Sequence, residues 1–161
     1  MLRRSLLGLA GLLLAAPPLA HPALAQTDPQ PRLPEEPLAF ITRDGKRHEF
    51  KVEMALAMEQ QMVGLMFRPS VGANEGMLFD WGVPRESSMW MRNTITSLDM
   101  IFITADGHIH RIAERTVPYS LAAINSGGPV RATLELAAGT AERLGLRVGD
   151  RVIQRIFGNA P

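Results

Sequence analysis

The chain has 161 residues, carries 17 Lys and Arg against 16 Asp and Glu, and contains no cysteine. This length suits one domain with its own core, and the lack of cysteine excludes disulfides, zinc–thiolate sites, thiol catalysis and iron–sulfur clusters. The nearly balanced charge lacks the basic excess that is typical of nucleic-acid binding proteins, so we expect no nucleic-acid partner.

The first 25 residues have the pattern of a cleavable export signal. Arg3 and Arg4 precede an uncharged apolar run at residues 6–16, and residues 23–25 (Ala-Leu-Ala) form a small-x-small cleavage site. The run is shorter than the roughly 20 apolar residues that span a bilayer. We therefore predict that residues 1–25 are a signal peptide and that the mature protein is periplasmic or secreted, without membrane contact. Without its two arginines, the chain has 15 basic and 16 acidic residues and a formal charge of −1.

Residues 26–37 contain four prolines among polar residues. This composition is typical of a linker without regular structure. We therefore predict a disordered, Pro-rich linker at residues 26–37 and a single β-rich domain at residues 38–158.

The domain sequence predicts about eight short strands. Asp-Gly pairs at residues 44–45 and 106–107 lie between apolar runs, and such pairs favour hairpins because glycine accepts the positive φ of the turn. Residues 82–87 and 118–128 are predicted to be loops. The predicted strands are residues 38–42, 46–56, 76–81, 88–92, 99–104, 108–116, 130–136 and 151–156.

Two short helices interrupt the strands. In residues 57–63 the apolar spacing becomes helical, and we expect Met58 and Met62 to be buried against the sheet. The second helix is predicted from Gly139 through Leu144, with Thr140 as its N-cap. No strand–helix–strand alternation is evident. The predicted fold class is therefore mainly β, a β-sandwich, jelly-roll-like fold or small barrel with two short helices.

Five motifs occur in a defined order and spacing. They are Gly64-Leu-Met-Phe-Arg68, Gly76-Met-Leu-Phe79, Trp90-Met-Arg-Asn-Thr94, Leu98-Asp99, and Leu134-Glu-Leu-Ala-Ala-Gly139 followed by Gly149-Asp150. Together they resemble the domain of unknown function 192 family of small, often exported prokaryotic proteins, over about residues 46–154. The family usually has a proline where this chain has Ser97. The resemblance implies a β-sandwich or jelly-roll-like fold and no settled activity.

Polar and aromatic residues of these motifs form the candidate ligand-binding set, which is Arg68, Trp90, Arg92, Asn93 and Asp99. An aromatic plane beside guanidinium, amide and carboxylate groups is typical of a site for a small polar or carbohydrate-like ligand. Alternatively, these groups satisfy one another around a tight turn. Trp90 and Arg92 are expected to line a groove from one strand face. Asp99 starts a strand that is apolar on both faces, so its partners are expected in residues 93–97 or Arg92.

Three functions remain open at this stage. The leading hypothesis is a non-enzymatic binding or accessory module for a small polar or carbohydrate-like ligand, with no cofactor. The second is a periplasmic Cu(I)-handling protein, because residues 26–161 hold eight methionines and soft thioethers favour Cu(I). The third is a cell-envelope hydrolase, although no serine lies in a Gly-x-Ser-x-Gly elbow and His108 and His110 lack a third metal ligand. We therefore predict no catalytic residue and no metal ligand, and we leave the oligomeric state open.

Overall fold

The apolar runs of the chain assemble into one seven-stranded sheet in the computed structural model, which describes residues 27–160. The predicted signal peptide lies outside the described residues. The strands are β1 (Glu35–Ile41), β2 (Arg47–Ala55), β3 (Glu75–Met89), β4 (Leu98–Ile103), β5 (Ile109–Ala113), β6 (Ile124–Ala137) and β7 (Arg151–Ile153). The helices are α1 (Met58–Val63), α2 (Thr140–Leu144) and a 3-10 helix (Arg155–Phe157). Within residues 27–160, no helix is long and apolar enough to cross a membrane.

The strand order is β5-β4-β6-β3-β2-β1-β7, and every neighbouring pair is antiparallel except β2 and β3. These two strands are parallel and are joined through α1. The three elements were predicted in this order, but their parallel pairing was not. The sheet curls into a half-barrel, and its two edges approach where His108 bridges Arg151. The predicted mainly β fold with two short α-helices is therefore confirmed.

Strands β3 and β6 extend well beyond their predicted bounds. Residues 82–87, predicted to be a loop, continue β3, and the predicted connection at 118–128 already enters β6 at Ile124. The pairing passes through two register shifts, between Asp80 and Arg85 and between Glu86 and Ser88. Bulges of this kind admit Gly and Pro within a strand, and this explains why the Gly and Pro residues of the segment suggested a loop.

The prediction of a free linker is wrong for the described part of residues 26–37. Strand β1 already starts at Glu35. The side-chain amide of Gln30 donates to the carbonyl oxygens of Gln60 (3.1 Å) and Gly64 (2.9 Å), and the Leu33 N–H donates to Glu53 Oε2 at 2.8 Å. A Pro-rich composition indicates that a segment forms no helix or strand. It does not exclude hydrogen bonds between that segment and the domain.

Apolar side chains cover both faces of the sheet and form two clusters. All six residues of β4 are buried, as expected for a strand that is covered on both sides. The first cluster includes Phe40, Val52, Leu78, Ile101 and Leu134. The second includes Leu65, Met77, Phe79, Met100 and Phe102. The second cluster lies on the sheet face that carries the cleft described next.

Candidate functional site

A cleft of about 590 Å³ opens beside the second cluster. Its walls are α1 with the turn that follows it, the middle and end of β3, and the turn at residues 90–94, while one residue of β6 contributes from below. The volume lies in the range of sites that bind small molecules.

Methionine side chains form much of the apolar wall. Met58, Met62, Met66 and Met89 all line the cleft. Met58 is 72% exposed and Met62 is 67% exposed, so the prediction that they are buried is wrong. Helical spacing shows that two residues share a face, but it does not show what that face contacts. Here Leu65 and Phe79 already cover the sheet, and α1 has no buried residue.

Both tryptophans of the chain line the cleft, and an arginine lies over each ring. The guanidinium carbon of Arg85 is 4.4 Å from the Trp81 ring centroid, and that of Arg92 is 5.5 Å from the Trp90 ring centroid. Trp90 is 47% exposed. Neither guanidinium makes a hydrogen bond or ion pair with another described residue. Each ring attracts the guanidinium above it, and the exposed N–H donors remain open to an acceptor.

Glu135 of β6 contributes the acidic group of the cleft. It lies opposite Met77 of β3 and Met100 of β4, and its exposed fraction is 5%. The carboxyl group has no hydrogen bond or ion pair with any residue in 27–160. Burial among apolar neighbours raises the pKa of Glu135 to about 8. Near neutral pH the carboxyl group is therefore mostly protonated and can donate a hydrogen bond.

Hydrogen bonds fix the position of Trp81 beside Glu135. The indole N–H of Trp81 donates to Thr133 Oγ1 at 3.2 Å, and the Ser87 hydroxyl lies 3.2 Å from the same oxygen. Thr133 is two residues before Glu135 and faces the same side of the sheet. Ser87 is buried in this contact, and no histidine lines the cleft. No group of three or more His, Cys, Asp or Glu side chains suited to a metal occurs among the described residues.

The structure brings together three of the five predicted site residues. Trp90, Arg92 and Asn93 line the cleft, with Trp90 and Arg92 in contact as expected. Asn93 adopts a φ of 54°, its carbonyl accepts from the Phe67 N–H at 2.9 Å, and its side-chain nitrogen lies 3.9 Å from Met66 Sδ. The turn at residues 90–94 is thereby attached to the turn after α1.

Arg68 and Asp99 lie away from the cleft and have structural partners. Arg68 is buried and forms a two-pronged ion pair with Glu53, with distances of 3.0 and 2.9 Å. Asp99 accepts from the backbone N–H groups of Arg115 and Ala141, each at 2.8 Å. The expectation that buried Asp99 needs donors is confirmed, but the expected donors at residues 92–97 are wrong. The actual donors are distant in sequence and become neighbours only after folding.

The predicted ligand-binding set did not include four residues that line the cleft, Trp81, Arg85, Met66 and Glu135. The best available signal was the single acid in the apolar strand sequence Leu134-Glu135-Leu136. Because side chains alternate along a strand, Glu135 lies on the other sheet face from Leu134 and Leu136. A charged residue on that face is usually interpreted as exposed to solvent. Only the pairing of β6 between β3 and β4 shows that this face is also covered.

This fold and cleft define a small β-rich protein with a cleft of small-molecule size. The profile of the DUF192 family, described as "Uncharacterized ACR", matches residues 39–154, and the chain belongs to this family. A search of curated proteins gave no match.

Two solved structures are similar to the chain. One is a candidate transcription regulator from Sinorhizobium meliloti 1021, with 43% identity, a TM-score of 0.77, and coverage of 79% of this chain and 98% of that chain. The other is a protein of unknown function from Novosphingobium aromaticivorans DSM 12444. It has 38% identity, a TM-score of 0.73, and coverage of 87% of this chain and 94% of that chain.

Proposed function

We propose that the protein is a non-enzymatic binding module that holds a small organic molecule in this cleft. One observation carries the proposal. Two tryptophan rings, two guanidinium groups and one buried carboxyl group line the same cleft, and within residues 27–160 these three titratable groups have no hydrogen-bond or ion-pair partner. The Glu135 carboxyl group is 5% exposed and faces the cleft, so a polar group of a ligand in the cleft could pair with it.

The lining also indicates the general character of the ligand. Half-exposed Trp90 offers a plane for stacking, as a sugar site would, but the methionine walls favour a ligand with a substantial apolar part. Flexible thioether side chains adapt to irregular apolar shapes. We therefore favour an amphipathic small molecule with polar groups over a fully hydroxylated carbohydrate.

The proposed place of action follows from the sequence. Residues 1–25 have the pattern of an export signal, so we place ligand binding in the periplasm or outside the cell. The S. meliloti protein is described as a candidate transcription regulator, a role that often involves nucleic acid. The formal charge of −1 on residues 26–161 does not favour such a partner here.

Native mass spectrometry of the protein purified from its own cell envelope tests the proposal directly. We expect a co-purifying small molecule that is lost on denaturation. The Trp90→Ala variant should retain less of it, because the variant removes one wall of the cleft. Tyr119→Ala is the matched control, since Tyr119 is a 62% exposed aromatic residue that does not line the cleft. Equal ligand content in the wild type and Trp90→Ala would contradict the proposal.

Copper handling is the second candidate, and the exposed methionines favour it. Met58 and Met62 project from α1 at positions four residues apart, and Met66 and Met89 line the same cleft. Thioether sulfur is a ligand that Cu(I) prefers. Under this hypothesis the protein competes with a chromogenic Cu(I) chelator in the absence of oxygen, and the Met58→Leu/Met62→Leu double variant does not. Failure of the wild type to compete would eliminate copper handling.

The hydrolase hypothesis receives the least support. Catalysis by a serine needs a base within hydrogen-bond reach of the hydroxyl group. Ser87 is buried against Thr133, Ser126 donates its hydroxyl to Gly128 O at 2.7 Å, and the cleft is without histidine. We therefore keep the binding function as the conclusion.

A further inference from the structure

The three titratable side chains that line the cleft, Arg85, Arg92 and Glu135, have a feature in common, and the proposed binding function leaves it unexplained. Arg85 and Arg92 can only donate hydrogen bonds. Glu135 donates through its O–H while it is protonated and keeps a carbonyl oxygen that can accept. These three groups make no hydrogen bond or ion pair with another described residue. A ligand that matched them would have to be an acceptor, and the two guanidinium groups would favour a negative charge on it.

We infer that the ligand is an amphipathic organic acid, with its carboxylate bound by the cleft arginines and by the protonated carboxyl group of Glu135. This inference rests on the proposed binding function and specifies its ligand class. Guanidinium groups match the planar geometry of a carboxylate and can donate to both of its oxygens. The apolar part of the ligand would then lie against the methionines and the tryptophan rings.

The surroundings of Glu135 favour its protonated form in the empty cleft. Its partners across the sheet, Met77 on β3 and Met100 on β4, are uncharged, and so is Gly64 at the end of α1. The nearest charged position along this sheet row is Glu53 on β2, opposite Met77, and Glu53 is neutralised by Arg68.

The remaining charges that face the cleft belong to Arg85 on β3 and Arg92 in the following turn. Burial alone raises the pKa of Glu135, so no neighbouring cation holds this carboxyl group ionised. A bound carboxylate would accept a hydrogen bond from the O–H group of protonated Glu135 and would stabilise that protonated form further.

A cationic ligand fits the same groups poorly. It would have to ionise Glu135 first, and it would then lie near two guanidinium groups that repel it. An anion can accept hydrogen bonds from both guanidinium groups and from the protonated carboxyl group of Glu135, and the charged groups of the cleft do not repel it. Its binding should weaken as the pH rises through about 8, because Glu135 then loses its proton and adds a negative charge to the cleft.

Three probes of equal chain length separate these possibilities: octanoate, octylammonium and 1-octanol. Both tryptophans of the chain line the cleft, so intrinsic tryptophan fluorescence reports on binding there, with calorimetry as a second measurement. The first two probes keep their charges at about pH 6.5, and octanoate keeps its charge at about pH 9.5. We expect octanoate to bind tighter than the other two at about pH 6.5, and at least about tenfold weaker at about pH 9.5.

Variants assign the effect to individual residues. Glu135→Gln, which stays uncharged, should remove the pH dependence of octanoate binding. Arg92→Leu should weaken octanoate binding and leave 1-octanol binding much less affected. Arg111→Leu is the matched control, because Arg111 lies over Phe102 outside the cleft, and this variant should bind like the wild type.

The outcomes distinguish this inference from the proposed function. If 1-octanol binds as tightly as octanoate, or octylammonium binds more tightly, the cleft binds small molecules but the inference of an acid ligand is wrong. Octanoate binding that is the same at both pH values in the wild type would also overturn the role of Glu135. If none of the three probes binds, the inference fails, and the co-purification experiment alone decides the proposed function.

Discussion

At the residue scale, Glu135 makes a testable contribution to the pH dependence of stability. Its pKa in the folded protein is about 8, above the ordinary value of 4.5. Between these values the folded protein holds a proton that the unfolded chain has released. The free energy of unfolding therefore falls as the pH rises from about 4.5 to about 8, by at most about 1.4 kcal/mol per pH unit from this group.

The variant Glu135→Gln isolates this contribution. It lacks the titrating group, so between about pH 5 and about pH 8 its free energy of unfolding should decline less than that of the wild type. Urea denaturation across this range measures both. Carboxyl groups with lowered pKa values, such as Glu36 beside Arg155, act in both proteins and cancel in the difference. A parallel pH dependence in the two proteins would show that Glu135 is not a buried, protonated acid.

Asp99 provides a second prediction at this scale. Its two carboxylate oxygens accept from the N–H groups of Arg115 and Ala141, and the side chain is fully buried. Asp99→Ala would leave both donors unmet and should lower the free energy of unfolding by about 1–3 kcal/mol. Urea denaturation checks this value. Exposed Glu114→Ala is the control and should change stability by less than about 0.5 kcal/mol. An Asp99→Ala protein as stable as the control would rule out the structural role.

The sequence predicted part of the site at the residue scale. Trp90, Arg92 and Asn93 are neighbours in the chain, so a local motif was enough to group them. Glu135 and Trp81 join them only through strand pairing, and the partners of Arg68 and Asp99 are likewise distant in sequence. Local patterns identify which residues are polar in an apolar setting, but they do not identify the partner that satisfies each one.

At the element scale, the end of α1 shapes the cleft through Gly64. This glycine has φ 52° and ψ −133°, a conformation that side chains strongly disfavour, and its N–H caps the helix by donating to Gln60 O. A Cβ atom there would lie 2.9 Å from Phe79 Cζ. The Phe79 ring in turn lies 5.8 Å from the Trp81 ring. The helix end therefore packs directly on the aromatic wall of the cleft.

We expect Gly64→Ala to destabilise the protein and to alter its tryptophan fluorescence. The backbone strain alone should cost about 1–3 kcal/mol, and contact with Phe79 adds to it. Gly45→Ala is the matched control, because Gly45 also has a positive φ of 81° but nothing within 4 Å of an added Cβ. Urea denaturation of both variants should show the larger loss for Gly64→Ala. Equal losses would mean that the helix end is free to move away from Phe79.

Strands and turns were predicted correctly where the apolar pattern of the sequence stayed the same along the whole element. The fully apolar β4 and the Asp-Gly turn before β2 follow directly from local patterns. The bounds of β3 and β6 failed because bulges carry Gly and Pro inside paired strands. The face of α1 was misjudged because a six-residue helix shows a stripe of methionines without showing whether the sheet below is already covered.

At the scale of the whole molecule, curling of the sheet brings its two edge strands together. The Val152 N–H donates to Gly107 O at 2.7 Å, and the Ile109 N–H donates to Asp150 O at 2.9 Å. Asp150 is buried and accepts from the backbone N–H groups of Arg43 and Arg147. The mainly β class was predictable from the spacing of strands and turns. The closure depends on pairing between residues about 40 positions apart, and no local pattern encodes it.

The N-terminal segment at residues 27–34 acts on the whole molecule because it joins elements that are distant in sequence. Gln30 donates to two carbonyl oxygens at the end of α1, and the Pro34 carbonyl accepts from the Met54 N–H at 2.9 Å. The Leu33 N–H donates to Glu53, which also binds Arg68. The segment thus supports both the helix beside the cleft and the buried ion pair.

A chain that starts at Glu35 should therefore be less stable than one that starts at Thr27. At least seven hydrogen bonds between this segment and the rest of the chain are lost, three of them made by partly exposed Arg32 or longer than 3.3 Å. Glu53 keeps Arg68 but loses the Leu33 N–H and Arg32, so we expect a loss of about 2–4 kcal/mol in the free energy of unfolding. Hydrogen exchange should show the Gly64 N–H less protected in the shorter chain, because the end of α1 is no longer held. Gln30→Ala in the longer chain separates the helix contact from the strand contact and should reproduce the loss at Gly64 with only part of the loss in stability. If the two chains unfold at the same urea concentration, residues 27–34 contribute nothing to the fold and behave as the linker that their composition predicts.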